Sequence, residues 1–454
     1  MLEERISTRP FAEAMLLSSG LLKNSFAAVS SFLKRMIRGT RKKAVFYYAS
    51  SSLVCQCLRF LGVLITTRAI VPEQFGLLAQ ATLLISIAGL CREIGQSGAL
   101  VAYQGTDFRY VFFNFQLNLF LGLCAAAIVF GSLLTPQIVP NELRQHIWLL
   151  AAIPLVDSLT STNSLMLQKL FRFKVLGVAE IFSLFVWLVT ICLTIGRAPG
   201  FLVLLLAQFA EGICRCLLLF AIAGWQFTGV AAGKDLSHYY FYRFARPVIP
   251  LVVLQSLLAR SDFLLLSVFS TTRELGTYER LGQFSRIPTS LTVNLCDKVL
   301  MHSYSHSQND LPVLRSLVEK SMLLIMLGVI LITSAVTIGL VIFLKPLVGA
   351  DWARLIMNLW WFGIPVLLMT PILFNTTLFL SGLGMQVQLL RNSALNLLTD
   401  LVFGLPLVAA FGARGMLLAK SLSGACVLGY QAHVLHRKLA LLTPFRESEH
   451  PGSR

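Results

Sequence analysis

Charged side chains recur inside the long apolar runs of this 454-residue sequence. The stretch "LLISIAGLCREIGQSGAL" (83–100), for example, carries Arg92 and Glu93 side by side. A lone charge at the centre of a bilayer costs about 3 kcal/mol, so such groups should line a water-filled cavity, pair with one another or reach an interface. Because the planar guanidinium suits phosphate oxygens, the arginines predict a cationic cavity that attracts a membrane-borne anion. The arginines assigned to this cavity are Arg59, Arg92, Arg215, Arg260, Arg280 and Arg286.

Polar residues of the eighth apolar run follow a helical spacing. They lie at positions i, i+4, i+7, i+11, i+15 and i+18 and are Glu279, Gln283, Arg286, Ser290, Asn294 and Asp297. At 1.5 Å per residue they form one stripe of about 27 Å, nearly the thickness of the hydrocarbon core. We interpret this stripe as the wall of a hydrated lane. The first and sixth runs contribute similar positions, Gln56 and Gln208. The predicted polar lane therefore comprises Gln56, Gln208, Gln283, Ser290 and Asn294.

Acidic residues accompany these arginines, and two interpretations of them are open. They balance the arginines, or they take up H⁺ or Na⁺ and couple transport to an ion gradient. Glu211 and Arg215 also have the i,i+4 spacing, acid first, of an intrahelical ion pair, so a purely structural pair is an alternative there. The acids considered are Glu93, Asp157, Glu180, Glu211, Asp262, Glu279 and Asp400.

The remaining reactive residues show no pattern typical of an enzyme. All nine cysteines lie in apolar runs, and the closest pairs are spaced i,i+2, which places their thiols on different faces of a helix. His302 and His306 stand alone in a predicted loop. The sequence contains no recognisable nucleophile–base pair, metal-spaced His/Cys set or glycine-rich phosphate loop. We therefore predict no enzymatic activity, no bound metal and no cofactor apart from a coupling H⁺ or Na⁺.

The hydropathy pattern predicts the helices that position these charges. The chain is 56% hydrophobic and 13% charged, with a mean hydropathy of +0.74, whereas a soluble domain carries about 25% charged residues. We predict an all-α polytopic membrane protein with about 12 transmembrane helices in two six-helix lobes around a central cavity. The twelve apolar segments are 44–67, 76–101, 111–134, 146–168, 175–196, 200–226, 247–270, 276–300, 318–344, 355–380, 391–411 and 415–436.

Lysine and arginine are concentrated on one side of these predicted helices. The positive-inside rule then places both termini in the cytoplasm, and the net charge of +17 reflects the membrane rather than a nucleic-acid partner. The tail before the first segment predicts a basic amphipathic helix on the inner leaflet, although Met15 or Met36 is an alternative first residue. The predicted divisions are the amphipathic segment 1–43, the first lobe 44–226, a linker 227–246, the second lobe 247–436 and a tail 437–454.

A short internal repeat supports the division into two lobes. The stretches "EQFGLLAQA" (73–81) and "RELGTYERL" (273–281) share a glycine at the same place, 200 residues apart. Both follow an apolar segment with an arginine near its middle, Arg59 and Arg260. Repeated lobes in transporters place the binding site at their interface, near the midplane of the membrane.

Several stretches resemble the polysaccharide transporter family, the Wzx-type flippases of the multidrug/oligosaccharidyl-lipid/polysaccharide exporter superfamily. They are "TRAIVPEQFGLLAQATLL" with "REIGQSGALVAYQ", "LMLQKLFRFKVLGVAEI" (165–181), "RSDFLLLSVFSTTRELGTYERLGQFSRIP" (260–288) and "LKPLVGADWARLIMNLWWFGIP" (344–365). Together they cover about residues 40 to 435. The chain departs from the family pattern at residues 270–272, where a glycine is common, and at His302, where proline is usual.

This resemblance implies a transport function. Such proteins are thought to move undecaprenyl-diphosphate-linked oligosaccharide across the bacterial inner membrane by alternating access, for exopolysaccharide, capsule, lipopolysaccharide or O-antigen synthesis. The partners it implies are the lipid-linked oligosaccharide, membrane lipids, and a polysaccharide polymerase with its chain-length machinery. Two other classes are alternatives. One is a cation-coupled multidrug antiporter of the same superfamily, which favours acids and aromatics in its cavity. The other is a membrane glycosyltransferase or polymerase, which needs long loops or clustered acids.

Overall fold

A computed structural model describes residues 41–92, 108–134, 139–170, 172–223, 249–285, 359–377 and 386–441, with isolated residues between 327 and 352. All regular elements in these ranges are helical, and the chain is an all-α polytopic membrane protein. The predicted amphipathic helix before residue 41, the linker 227–246, and Glu93, Arg286, Ser290, Asn294 and Asp297 lie outside the described residues. The boundaries of the two predicted lobes therefore stay a prediction.

The amino-terminal helix group consists of six long helices. Their bounds fall close to the predicted segments, except that the second begins four residues early and its predicted end, residue 101, lies outside the described residues. The second begins with Pro72 in its first turn, where the missing N–H of proline costs no hydrogen bond, and a 3₁₀ turn, Leu90–Arg92, continues from its end. The helices are α1 Arg41–Ala69, α2 Pro72–Gly89, α3 Phe108–Gly131, α4 Ile147–Lys169, α5 Phe173–Thr194 and α6 Gly200–Ala223.

The carboxyl-terminal helix group differs from the prediction in its first member. The predicted single segment 247–270 is broken into α7, Ile249–Leu258, and α8, Ser261–Phe269, which are bent by 43°. A helix over 272–285, α9, follows. The remaining members are α10, Leu359–Thr377, and α11, Gln386–Leu441, whose two halves meet at Gly412 (φ 57°, ψ −133°) between the predicted segments 391–411 and 415–436.

Six of these helices are long and apolar enough to cross a membrane, or seven if α7 and α8 form one bent span, within the described ranges. The helix α4, predicted as the fourth span, is not among them. Residues 157–164, "DSLTSTNS", include only one apolar residue and lower its hydropathy. Part of this polar stretch is buried against α3, because the Asn118 amide donates to the Thr162 hydroxyl at 2.9 Å. Protein neighbours, rather than lipid, therefore surround this face of α4.

The two helix groups meet where α2 and α9 cross. A Cβ atom placed on Gly76 would lie 1.9 Å from the carbonyl oxygen of Thr272, and one on Gly276 would lie 1.9 Å from that of Pro72. Only glycine permits such a backbone approach. The contacts are reciprocal, joining position 76 to 272 and position 276 to 72, so the stretches matched in the sequence pack against each other. A carboxylate–guanidinium pair, Glu73 with Arg273 at 3.4 Å, lies at the same crossing.

The core around this crossing draws residues from both groups. Phe75 of α2 is fully buried, and its ring packs edge-on against Trp352 at 5.5 Å between centroids. The Trp352 indole N–H donates to the Ile70 carbonyl at 3.0 Å, at the end of α1. Tyr278 of α9 joins the same apolar cluster. The helix ends on this side of the molecule are therefore held together by apolar burial as well as by the crossing itself.

Candidate functional site

Two arginines and two glutamates from three helices surround a cavity of about 100 Å³ in the amino-terminal group. Arg59 of α1 lies 3.9 Å from Glu211 of α6, and Arg215 of α6 lies 3.2 Å from Glu180 of α5. Helix packing brings these groups together, since α5 contacts both α1 and α6. We call this set, Arg59, Glu180, Glu211 and Arg215, the charged pocket. Cys55, Ser183 and Leu184 complete its lining.

The pairing inside the charged pocket corrects one sequence-based expectation. The i,i+4 spacing of Glu211 and Arg215 predicted an intrahelical pair as an alternative. In the structure each of them instead pairs across to a different helix, Glu211 to Arg59 and Arg215 to Glu180. Neighbouring helices offer both residues an oppositely charged partner at closer range, so the intrahelical pair does not form.

A third ion pair lies at the end of α2. Arg92 is 3.9 Å from Asp157 of α4, and the Asp157 carboxylate also interacts electrostatically with Arg215. The charged pocket and this pair together contain three guanidiniums and three carboxylates. Their formal charges cancel, although the arginine side chains keep contact with solvent-accessible space, above all Arg59, which is 60% exposed.

Arg280 occupies a different environment from the one predicted. It is 3% exposed and donates from Nε to Thr67 Oγ1 at 2.8 Å and from Nη2 to the Val63 carbonyl at 2.9 Å. Nη2 also donates to Thr66 Oγ1, and the guanidinium stacks 4.2 Å from the ring centroid of Phe75. Rather than lining an accessible cavity as predicted, Arg280 joins α9 to α1 and α2.

A relay of hydrogen bonds balances the charge of Arg280. Its Nη1 donates to Gln283 Oε1 at 2.8 Å, and Gln283 Nε2 donates to Glu279 Oε1 at 2.9 Å. The first two members of the predicted polar stripe, Glu279 and Gln283, therefore serve this buried arginine. Sequence reasoning did not assign Thr67 a role, and no spacing signal in the sequence links it to a residue more than 200 positions away.

Away from Arg280 and the crossing of α2 with α9, the charged residues of the carboxyl-terminal group form one ion pair among the described residues, Asp400 with Lys420, and two others contact polar or aromatic side chains. Asp400 is fully buried, and its Oδ2 accepts from Lys420 Nζ at 2.7 Å and from Ser261 Oγ at 3.1 Å. Asp262 accepts from the Tyr278 hydroxyl at 3.0 Å. Arg260 lies at the bend between α7 and α8, with its guanidinium carbon 5.9 Å from the ring centroid of Phe263.

The predicted residues thus fall into several places rather than one. Four of them form the charged pocket, two form the pair at the end of α2, and Arg280 with Gln283 and Glu279 forms the junction of α9 with α1. Gln56 and Gln208 are half-buried on α1 and α6, the helices that carry Arg59 and Glu211. Within the described ranges, no group of three His, Cys, Asp or Glu side chains is placed to hold a metal ion.

Comparisons with known proteins show the family from the sequence and the fold from the structure. The sequence profile of a family described as "Polysaccharide biosynthesis protein" matches residues 65–357. No curated protein sequence matches the chain. The structure is similar to an inward-facing multidrug resistance MATE family transporter of the MOP superfamily, with a TM-score of 0.66 at 13% identity over 86% of this chain and 96% of that one.

Two further solved structures share the fold. One is the lipid II flippase MurJ in an inward closed conformation, with a TM-score of 0.66 at 13% identity over 87% of this chain and 89% of that one. The other is a MOP superfamily transporter from Pyrococcus furiosus whose binding pocket is described as having reverse polarity, with a TM-score of 0.55 at 13% identity over 90% and 98%.

Proposed function

This chain belongs to the polysaccharide biosynthesis protein family, and we propose that it flips undecaprenyl-diphosphate-linked oligosaccharide across the bacterial inner membrane by alternating access. It is a multi-pass membrane protein with the fold of MOP superfamily transporters and flippases. The product would enter exopolysaccharide, capsule or O-antigen synthesis, with a polymerase and chain-length machinery acting after the flip. Both termini would face the cytoplasm, in keeping with the distribution of lysine and arginine.

The charged pocket is the observation that carries this proposal. Arg59 and Arg215 approach one cavity from two helices, as a diphosphate with oxygens on two phosphorus atoms requires. Arg59 is largely exposed, and Arg215 Nε is buried without a hydrogen-bond partner in the described structure. A buried N–H donor without an acceptor is costly, so a phosphate oxygen that reached it would be bound favourably.

An apolar groove on the same helices supports an amphiphilic substrate. The groove lies between α5 and α6, has a volume of about 650 Å³ and exposes almost only carbon atoms. Its lining includes Phe182, Val186, Leu206, Phe209, Ile213 and Leu217. A polyprenyl chain needs such a surface near the site of its phosphates, whereas a small water-soluble sugar phosphate does not.

A cation-coupled multidrug antiporter is the second candidate. Glu180 and Glu211 place two carboxylates at the charged pocket, and carboxylates attract organic cations. Each of them already faces a guanidinium, however, which repels a cationic drug. The pocket is formally neutral, but its one buried, unpartnered polar atom among the described residues, Arg215 Nε, is a donor that a phosphate oxygen can bind and a cation cannot, and this favours an anionic substrate.

Neutralising Arg215 tests the proposed function. We expect Arg215→Gln to abolish flipping of lipid-linked oligosaccharide in proteoliposomes and to stop polysaccharide export in a flippase-deficient strain, with normal protein in the membrane. Arg391→Gln, which removes the same charge from an exposed position on α11, is the matched control and should leave both readouts unchanged. Normal export with Arg215→Gln would contradict the assigned site. Loss of drug resistance in a pump-deficient host, with export intact, would favour the antiporter.

A further inference from the structure

The charged pocket holds its carboxylates where the phosphates of an anionic substrate would bind. Glu211 Oε1 lies 3.9 Å from Arg59 Nη2, and Glu180 Oε1 accepts a hydrogen bond from Arg215 Nη2 at 3.2 Å. The two guanidiniums therefore already have anionic partners from within the protein. With two positive and two negative groups, the charged pocket is formally neutral and has no net attraction for a dianion.

We propose that Glu180 and Glu211 compete with the substrate's phosphates for Arg59 and Arg215. The phosphates displace the two carboxylates when the substrate binds, and the carboxylates displace the phosphates when it is released. This inference rests on the proposed function, because it concerns how the same pocket binds and releases a diphosphate. The free energy of substrate binding is then the difference between the arginine–phosphate pairs that form and the arginine–glutamate pairs that break, rather than the sum of the new pairs alone. A flippase gains from this arrangement, since a dianion held by two uncompensated arginines would leave slowly.

The geometry sets the order of displacement. The Arg59–Glu211 pair is the weaker of the two, because 3.9 Å exceeds hydrogen-bonding distance and Arg59 is 60% exposed. The Arg215–Glu180 pair is hydrogen-bonded and more enclosed. A first phosphate thus takes Arg59 from Glu211, and the second takes the Arg215 Nη2 donor from Glu180 while Nε supplies a further free donor.

Proton uptake follows from the displacement. A carboxylate that has lost its guanidinium and faces a bound phosphate is beside a like charge, and a proton from water relieves that repulsion. The acceptors are Glu180 of α5 and Glu211 of α6. An O–H bond of hydronium breaks as the carboxyl O–H bond forms, and a water molecule is left. The charged groups acting on Glu211 are Arg59 of α1, Asp157 of α4, Glu180 of α5 and Arg215 of its own helix, and Cys55 of α1 lines the same pocket. Substrate binding is therefore linked to protons at these two carboxylates.

Binding of inorganic pyrophosphate to the purified protein in nanodiscs tests the competition without requiring flipping. We expect Glu211→Gln to bind pyrophosphate about tenfold tighter than wild type, because the amide keeps the shape of the side chain but no longer competes for Arg59. Glu180→Gln, the second variant, should act in the same direction. Glu142→Gln, at an exposed position outside the pocket, is the matched control and should bind like wild type.

Comparison at two pH values tests the proton linkage. Between pH 8 and pH 6 the wild-type protein should gain more affinity than the Glu180→Gln/Glu211→Gln double variant, since titration of pyrophosphate itself affects both equally. Equal or weaker binding by both single variants would overturn the competition, even if wild type flips lipid-linked oligosaccharide. If the variants bind pyrophosphate more tightly but the wild-type protein does not flip this lipid, the proposed function is refuted and the competition between carboxylates and phosphates still stands.

Discussion

Arg280 donates hydrogen bonds to side chains and backbone on two helices and stacks on Phe75, all away from water. Replacing it with methionine would remove its hydrogen bonds to Thr67, Val63 and Gln283 and leave the Gln283 amide oxygen without this donor, at a cost of about 2–4 kcal/mol. Lysine would not restore the lost stability, because its single ammonium group cannot reach all the acceptors that the planar guanidinium contacts. We expect both variants to lower the unfolding temperature in detergent. Arg273→Lys, at an exposed position about two turns away on the same helix, should change the unfolding temperature little.

The same residue shows what the sequence can predict about buried charge. Hydropathy alone indicates that arginines in apolar runs need partners, and the structure gives partners to Arg59, Arg92, Arg215 and Arg280. The sequence did not distinguish an arginine beside an accessible cavity from one buried at a helix junction. That difference depends on whether a neighbouring helix supplies carboxylates or hydroxyl and carbonyl oxygens, which is a matter of tertiary packing.

Among the helices, α11 depends on one residue for its shape. Gly412 has φ 57° and ψ −133°, a conformation essentially restricted to glycine, and a Cβ there would lie 2.6 Å from the Glu274 carboxylate. We expect Gly412→Ala to destabilise the protein by about 1–3 kcal/mol, measured by thermal unfolding in detergent. Gly429→Ala on the same helix has open space around the added methyl and should be neutral or stabilise by up to about 1 kcal/mol. Equal effects of the two variants would contradict the assigned role of Gly412.

Hydropathy located the helices well where lipid alone decides their length. The segments predicted at 175–196 and 200–226 correspond to Phe173–Thr194 and Gly200–Ala223. It failed where protein neighbours replace lipid. The bend between α7 and α8 falls at the polar stretch "ARSD" (259–262) and places Ser261 against Asp400. This stretch contains neither proline nor glycine, the residues that usually signal a bend.

At the scale of the whole molecule, the crossing of α2 and α9 joins the two helix groups. The internal repeat predicted two related halves, and the structure adds that the repeated stretches contact each other with residues 72 and 76 facing 276 and 272. Their charges have diverged in a useful way. Position 73 is glutamate and position 273 is arginine, so equivalent positions attract rather than repel. Alternating access, as proposed, requires the two groups to separate on one side of the membrane while they close on the other.

Closure at this crossing depends on the absence of a side chain at position 76. An alanine Cβ would overlap the Thr272 carbonyl oxygen, a backbone atom that cannot move aside without moving α9. We expect Gly76→Ala to disfavour the closed crossing by about 1–3 kcal/mol and to reduce polysaccharide export strongly, with protein still present in the membrane. Gly89→Ala, at the other end of α2 with open space around it, is the matched control and should export normally.

Because a shift toward the open arrangement exposes the crossing, a Thr272→Cys reporter should react faster with a membrane-impermeant maleimide in the Gly76→Ala background than with Gly76 present. Unchanged labelling together with normal export would show that the two helices do not need to approach this closely during transport.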